Sequence, residues 1–190
     1  VDILDIEGEV AGIVARDMVE QYETDVIGVG SPSGFTNITG DTTNPMTMGR
    51  HLTTLSALEQ RDNNAPLAEV LHPKQTGELR SDIASTTAAF AAELPGGMDE
   101  ILNSHLSGYV GTLFNIPIFQ SSVVPTSDAS AGRAGFMLAV GSALGVYELW
   151  KEQVELQRDA SKVADEIVCS SAYGGAVVDA GRAQLVKTKA

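Results

Sequence analysis

The sequence predicts an α+β fold. Helical and strand patterns fall in separate blocks instead of alternating as strand–helix–strand units. Two apolar runs, Tyr109–Pro125 (YVGTLFNIPIFQSSVVP) and Asp165–Val178 (DEIVCSSAYGGAVV), are bounded by glycine, proline and small polar residues and read as buried strands. Apolar side chains at Ile6, Val10, Ile13, Val14, Met18 and Tyr22 recur in steps of three and four, which predicts one face of a helix over Ile6–Val26.

Acidic residues at Asp2, Asp5, Glu7 and Glu9 crowd the start of that helix, where they favour its dipole. Gly8 and Gly12 lower its intrinsic propensity, so the helix is expected to depend on packing. Gly28–Pro45 is rich in Gly, Ser, Thr, Asn and Pro and reads as a long connection at a subdomain boundary. Met48–Arg61 returns to helical spacing, with Leu52, Leu55 and Leu58 on one side, and the run from Asp62 to Pro66 stops it. Leu67–Leu71 reads as a short strand. His72-Pro73 then opens a helix near Lys74–Glu93, which Pro95-Gly96-Gly97 ends. A short helix or turn is expected over Met98–Leu106. Strands are expected near Tyr109–Gln120, Gly135–Val140, Val146–Arg158, Ile167–Ala172 and Ala183–Lys187, with a helical turn over Asp159–Ala164. Alternation is clear in the long strand: Leu149, Lys151, Gln153 and Glu155 oppose Trp150, Val154 and Leu156, with Glu152 an exception.

The chain has 190 residues, 43% of them apolar, enough for one or two small cores. Its charged fraction of 19% is too low for a disordered chain, and no apolar stretch reaches membrane-spanning length. A net charge of -13 repels nucleic-acid phosphate and anionic lipid, so direct tight DNA binding is disfavoured, while enclosing DNA behind an acidic wall stays compatible. The opening Val-Asp-Ile-Leu-Asp carries no initiator Met and no signal-peptide pattern, which reads as a processed or partial chain. Cys169, the single cysteine, sits beside Ile167 and Val168 and is expected to be a small buried hydrophobe.

Chemistry-bearing patterns are sparse. Gly28, Gly30 and Gly34 miss the dinucleotide fingerprint and follow a helix instead of a strand. Gly30-Ser31-Pro32-Ser33-Gly34 does not fit a nucleophile elbow. His51, His72 and His105 are isolated, with no zinc-ligand spacing around them, and His72 is expected to serve a strand-to-helix junction. Asn37-Ile38-Thr39 matches a glycosylation acceptor without a secretory context. No catalytic, cofactor-binding or metal-binding residue is therefore assigned, and the protein is not expected to be an enzyme.

The ordered segments carry a resemblance. A long amphipathic helix is followed by a Gly/Thr-rich connection and a second helix, and then by AEVLHPKQTGEL (Ala68–Leu79), a strand, His-Pro junction and helix. GTLFNIPIFQSSVVP (Gly111–Pro125), GRAGFMLAVGSALGVYELW (Gly132–Trp150) and the closing Val154–Ala190 follow in the same order. Together they resemble the C-terminal part of tailed-bacteriophage major capsid proteins, the Hong Kong 97-type fold. Asn115 stands where that family often has glycine, and the family's N-terminal arm and extended loop are not seen before the helix, so sequence preceding Val1 is expected.

The resemblance implies a peripheral domain at 1–34 and 148–178, holding a spine helix and long strands, and an axial domain at 35–147 and 179–190. It implies a structural subunit that assembles with itself as hexamers and pentamers into the icosahedral head of a tailed phage. That head would enclose double-stranded DNA without sequence-specific binding. Scaffold, portal and decoration or cement proteins would be further partners, and no membrane is involved. The location would be the virion, after synthesis in the host bacterial cytoplasm. An encapsulin-type compartment shell is the alternative within the fold. A small hydrolase or ligand-binding domain is the alternative of a different class.

Overall fold

The computed structural model describes residues 3–61, 65–89, 108–127, 132–159 and 164–189. The chain divides into two compact units, one of Val1–Val26 with Val146–Gly175 and one of Ile27–Gly145 with Ala176–Ala190.

The larger unit is built on a sheet that takes strands from distant parts of the chain. The elements are α1 (Ile3–Gly30), which contributes residues to both units, β1 (Ile38–Gly40), α2 (Met48–Glu59), β2 (Leu67–Leu71), α3 (Pro73–Ala89), β3 (Tyr109–Leu113), β4 (Ile116–Gln120), β5 (Thr126–Ser127), β6 (Gly132–Ala139), β7 (Leu144–Asp159), β8 (Ala164–Val177) and β9 (Ala183–Lys189). A 3-10 turn at Ala180–Arg182 precedes β9. The sheet order is β1-β9-β6-β2-β4-β3, and β5 pairs with Gly132 and Arg133 of β6. The β1–β9 and β2–β4 pairs are parallel, and the others are antiparallel.

Both faces of this sheet are covered. On one face Phe136 and Leu185 pack with Ile27, Phe35, Val124 and Ala143. On the other, Leu71, Ile118 and Val186 pack with Met46, Leu79 and Ile83, while Met137 and Ile116 meet Leu58 of α2. Alternation along β6 explains the division, since neighbouring residues of a strand point to opposite faces. Polar groups tie the covering helices down. Thr47 caps α2 by accepting from the Arg50 amide at 3.2 Å. The Met46 and Met48 amides donate to Glu78 and Asp82 of α3 at 2.7 and 2.8 Å. Gln75, buried in α3, donates through Nε2 to Val186 O and Thr188 Oγ1 and accepts the His72 amide, which joins α3 to β9.

The smaller unit combines the first part of α1 with β7 and β8, which pair as a two-stranded sheet. Tyr22 of α1 and Tyr173 of β8 meet edge to face, with ring centroids 4.7 Å apart.

Several sequence expectations need correction. The long connection does not begin at Gly28: α1 continues to Gly30, and residues 38–40 form β1. Ile27 is buried beside Phe35, and a Cβ on Gly30 would stand 2.3 Å from the Phe35 ring. The glycine that weakens the helix by propensity thus permits the packing that holds it. Tyr109–Gln120 is not one strand but a hairpin turning at Phe114-Asn115. Both turn residues have positive φ, 50° and 62°, as a two-residue hairpin of this type requires. Asn115 tolerates that conformation well. Of the helical turn expected over Asp159–Ala164, Asp159 ends β7 and Ala164 begins β8, and residues 160–163 lie outside the described residues; β8 is more than twice the expected length, because pairing with β7 overrides its Ser- and Gly-rich composition. Cys169 is half-buried, not buried, since β8 belongs to a two-stranded sheet without an opposing core. The expected element at Met98–Leu106 and the end of the α3 expectation, up to Glu93, lie outside the described residues.

Candidate functional site

Among the described residues, each unit has a place where polar or aromatic groups converge. In the larger unit the start of α2 places His51 over the centre of the sheet. Glu69 lies mid-way along β2, in register with Ile118 on one side and Met137 on the other. His51 Nδ1 and Glu69 Oε2 are 2.7 Å apart, and both side chains are fully withdrawn from solvent. Phe114, at the hairpin turn, stacks on the imidazole at 6.1 Å between ring centroids. Burial pushes the imidazole towards neutrality, but the Glu69 charge and hydrogen bond, helped by the Leu113 backbone, hold it above its ordinary value. His51 Nε2 and Glu69 Oε1 have no hydrogen-bond partner among the described residues. A buried acid–base pair of this kind has the parts for proton transfer, but neither residue is open to a substrate. Its effect here is structural.

His51 is thus not isolated, as the sequence reading had it. The available signal was Glu69 itself, a carboxylate at an inward position between Leu67 and Leu71, which needs a partner when buried. His72 does occupy the strand-to-helix junction, where its Nδ1 accepts the Lys74 amide at 3.1 Å. Burial first, then Arg133 and Lys74, depress its proton affinity. His105 lies outside the described residues. Gly28 and Gly30 are helical, so they cradle no phosphate. The Asn37 side-chain amide donates to Ala180 O at 2.8 Å and to Ala183 O, which places the glycosylation match in a structural role. Among the described residues no cluster of three or more His, Cys, Asp or Glu is placed to hold a metal ion, and no helix is long and apolar enough to cross a membrane.

In the smaller unit, a cavity of about 400 Å³ lies between α1 and the two long strands. Met18 and Tyr22 line it from the helix, Glu148, Trp150 and Lys151 from β7, and Tyr173 from β8. Tyr173 donates its hydroxyl to Asp25 at 2.6 Å, and Tyr22 donates to Glu148 at 3.2 Å. The bond to Asp25 leads in pushing the Tyr173 phenol up to about 12; for Tyr22, burial and then Glu148 act in the same direction.

Around this cavity the smaller unit is open. Every fully buried apolar residue described belongs to the larger unit, whereas Val10, Ile13 and Val19 of α1 and Tyr147, Leu149 and Val154 of β7 are exposed. Leu149 is 61% and Val154 55% exposed, although they alternate along the strand. Among the described residues, both faces of β7 therefore carry exposed apolar side chains.

No protein-family model and no curated protein matches this sequence. Solved structures do match. A chain of Mycobacterium phage Che8 superposes with a TM-score of 0.68 at 18% identity, covering 97% of this chain and 63% of its own. The head structure of Helicobacter pylori bacteriophage KHP40 gives 0.65 at 12% identity, covering 97% and 69%. The SrpI encapsulin of Synechococcus elongatus gives 0.61 at 15%, covering 93% and 63%. The chain has the Hong Kong 97-type capsid fold. It spans slightly less than two thirds of the Che8 chain.

Proposed function

We propose that the protein is a major capsid protein of a tailed phage, a non-enzymatic subunit that assembles with itself into the head shell. The observation that carries this reading is the contrast between the two units. The larger has a closed core, while the smaller exposes Val10, Ile13, Val19, Leu149 and Val154 with no buried apolar residue among those described. A two-stranded sheet is marginal on its own, and exposed apolar faces mark interaction surfaces. Neighbouring copies in a shell would cover them. The fold supports the same reading, since phage heads and capsids share it.

In this reading the smaller unit, Val1–Val26 with Val146–Gly175, corresponds to the expected peripheral domain of about 1–34 with 148–178, and the larger unit corresponds to the expected axial domain around the capsomer axis, about 35–147 with 179–190. The subunits would form hexamers and pentamers, with scaffold, portal and decoration proteins as further partners. The net charge of -13 suits a wall that contains DNA without gripping it. The virion is the proposed location, with synthesis in the host bacterial cytoplasm. A second reading, an encapsulin-type shell, has support from the SrpI encapsulin and from a virus-like particle of Pyrococcus furiosus, at a TM-score of 0.53.

Electron microscopy of the gene product carrying this chain tests the proposal. Uniform icosahedral particles are expected, and Leu149→Asp with Val154→Asp should abolish them while leaving the larger unit folded. A homogeneous monomer under all assembly conditions refutes it, and packaged protein cargo in place of DNA favours the compartment reading.

A further inference from the structure

The cavity of the smaller unit has a composition that bulk apolar contact does not call for. Three aromatic side chains, Tyr22, Trp150 and Tyr173, line it together with the carboxylate of Glu148. A second carboxylate, Asp25, is held by the Tyr173 hydroxyl. Both phenols act as donors to these carboxylates, so the rings stay neutral and the acids stay oriented. Aromatic faces attract cations through their quadrupole, and carboxylates add Coulombic attraction. At about 400 Å³ the cavity accommodates one long side chain and not a large cofactor.

We propose that this cavity binds the guanidinium of an arginine carried on an extended segment of another polypeptide. Charge complementarity is the argument for that occupant. The planar guanidinium stacks on aromatic rings and hydrogen-bonds a carboxylate in a fork, here that of Glu148. Lys151, the cationic residue on the lining, is exposed on β7 and its flexible stem can swing aside as the guest enters. All of its lining residues belong to the smaller unit.

Trp150 is the chain's single tryptophan, so its fluorescence reports on this cavity directly. The test is a titration of the full chain at low salt with the blocked peptide acetyl-Gly-Ser-Arg-Ser-Gly-amide. Its counterpart with citrulline, a neutral near-isostere of arginine, is titrated in parallel. The arginine peptide should give a saturable change in emission, with citrulline binding at least about fivefold more weakly. Glu148→Gln, an exposed substitution that should leave the circular dichroism unchanged, should weaken the arginine peptide by a similar factor. Lys151→Ala should bind it at least as tightly as the parent chain. Equal binding of the two peptides, no saturable change at millimolar peptide, or a loss of binding in Lys151→Ala would each overturn the proposal.

Discussion

His51 Nδ1 stands 2.7 Å from Glu69 Oε2 in an environment from which water is excluded. α2 and the sheet are thereby joined by charge as well as by the contact of Leu58 with Met137 and Ile116. Removing one partner strands the other. Glu69→Leu should leave His51 without its acceptor and cost about 3–5 kcal/mol. Urea unfolding of the parent and variant measures this. The double variant His51→Leu with Glu69→Leu should recover much of the loss, because it buries no unpaired polar group.

The same pair makes stability depend on pH. The folded imidazole is raised above its ordinary value of 6.5. Its contribution is therefore complete below the unfolded value and is lost as pH rises through the higher folded value. The urea midpoint of the parent should fall over that window relative to the double leucine variant. A flat difference between the two across neutral pH would contradict this assignment.

Gln75 is the corresponding device on α3. Its side chain satisfies the His72 amide, Val186 O and Thr188 Oγ1 together. Gln75→Leu keeps the volume and removes these bonds, and should destabilise by about 1–3 kcal/mol. Chemical denaturation reads the loss. Hydrogen exchange at His72 should rise as well, because its amide loses its acceptor.

Gly40 has φ of 84°, and a Cβ there would stand 2.4 Å from Lys187 O and 2.8 Å from Arg50 Nη1. Gly40→Ala should therefore combine backbone strain, about 1–2 kcal/mol, with displacement of the arginine. That arginine donates to Lys187 O at 2.8 Å. Thermal unfolding should detect a lowered Tm, whereas Gly12→Ala on exposed α1, where a Cβ meets nothing within 4 Å, should not lower it.

How legible each part was follows from whether its signal is local. Leu67–Leu71 was readable to the residue because a short apolar strand is bounded by Pro66 and His72-Pro73. The helix starting at Met48 was readable because its leucine spacing is regular. β1 was not, since Ile38–Gly40 becomes a strand only by pairing with β9, far along the chain. The Phe114-Asn115 turn was hidden because neither residue is glycine, and a bulky residue with positive φ is uncommon. His51 and Glu69 meet only in three dimensions. The aromatic cavity was hidden for the same reason: Tyr22, Trp150 and Tyr173 come from three elements that meet only in the folded chain.

β9 lies between β1 and β6, so a central strand of the sheet is made of residues 183–189. Asn37 reaches Ala180 across 143 residues of chain. Contacts this remote form only after a large loss of chain entropy, which slows the search for the native state. During synthesis the stretch that ends in β6 must wait for β9 to leave the ribosome, with the hydrogen-bonding groups on one side of β6 unoccupied in the meantime. The chain thus completes its sheet late, and the interval before β9 arrives is when it is most open to pairing with the wrong strand.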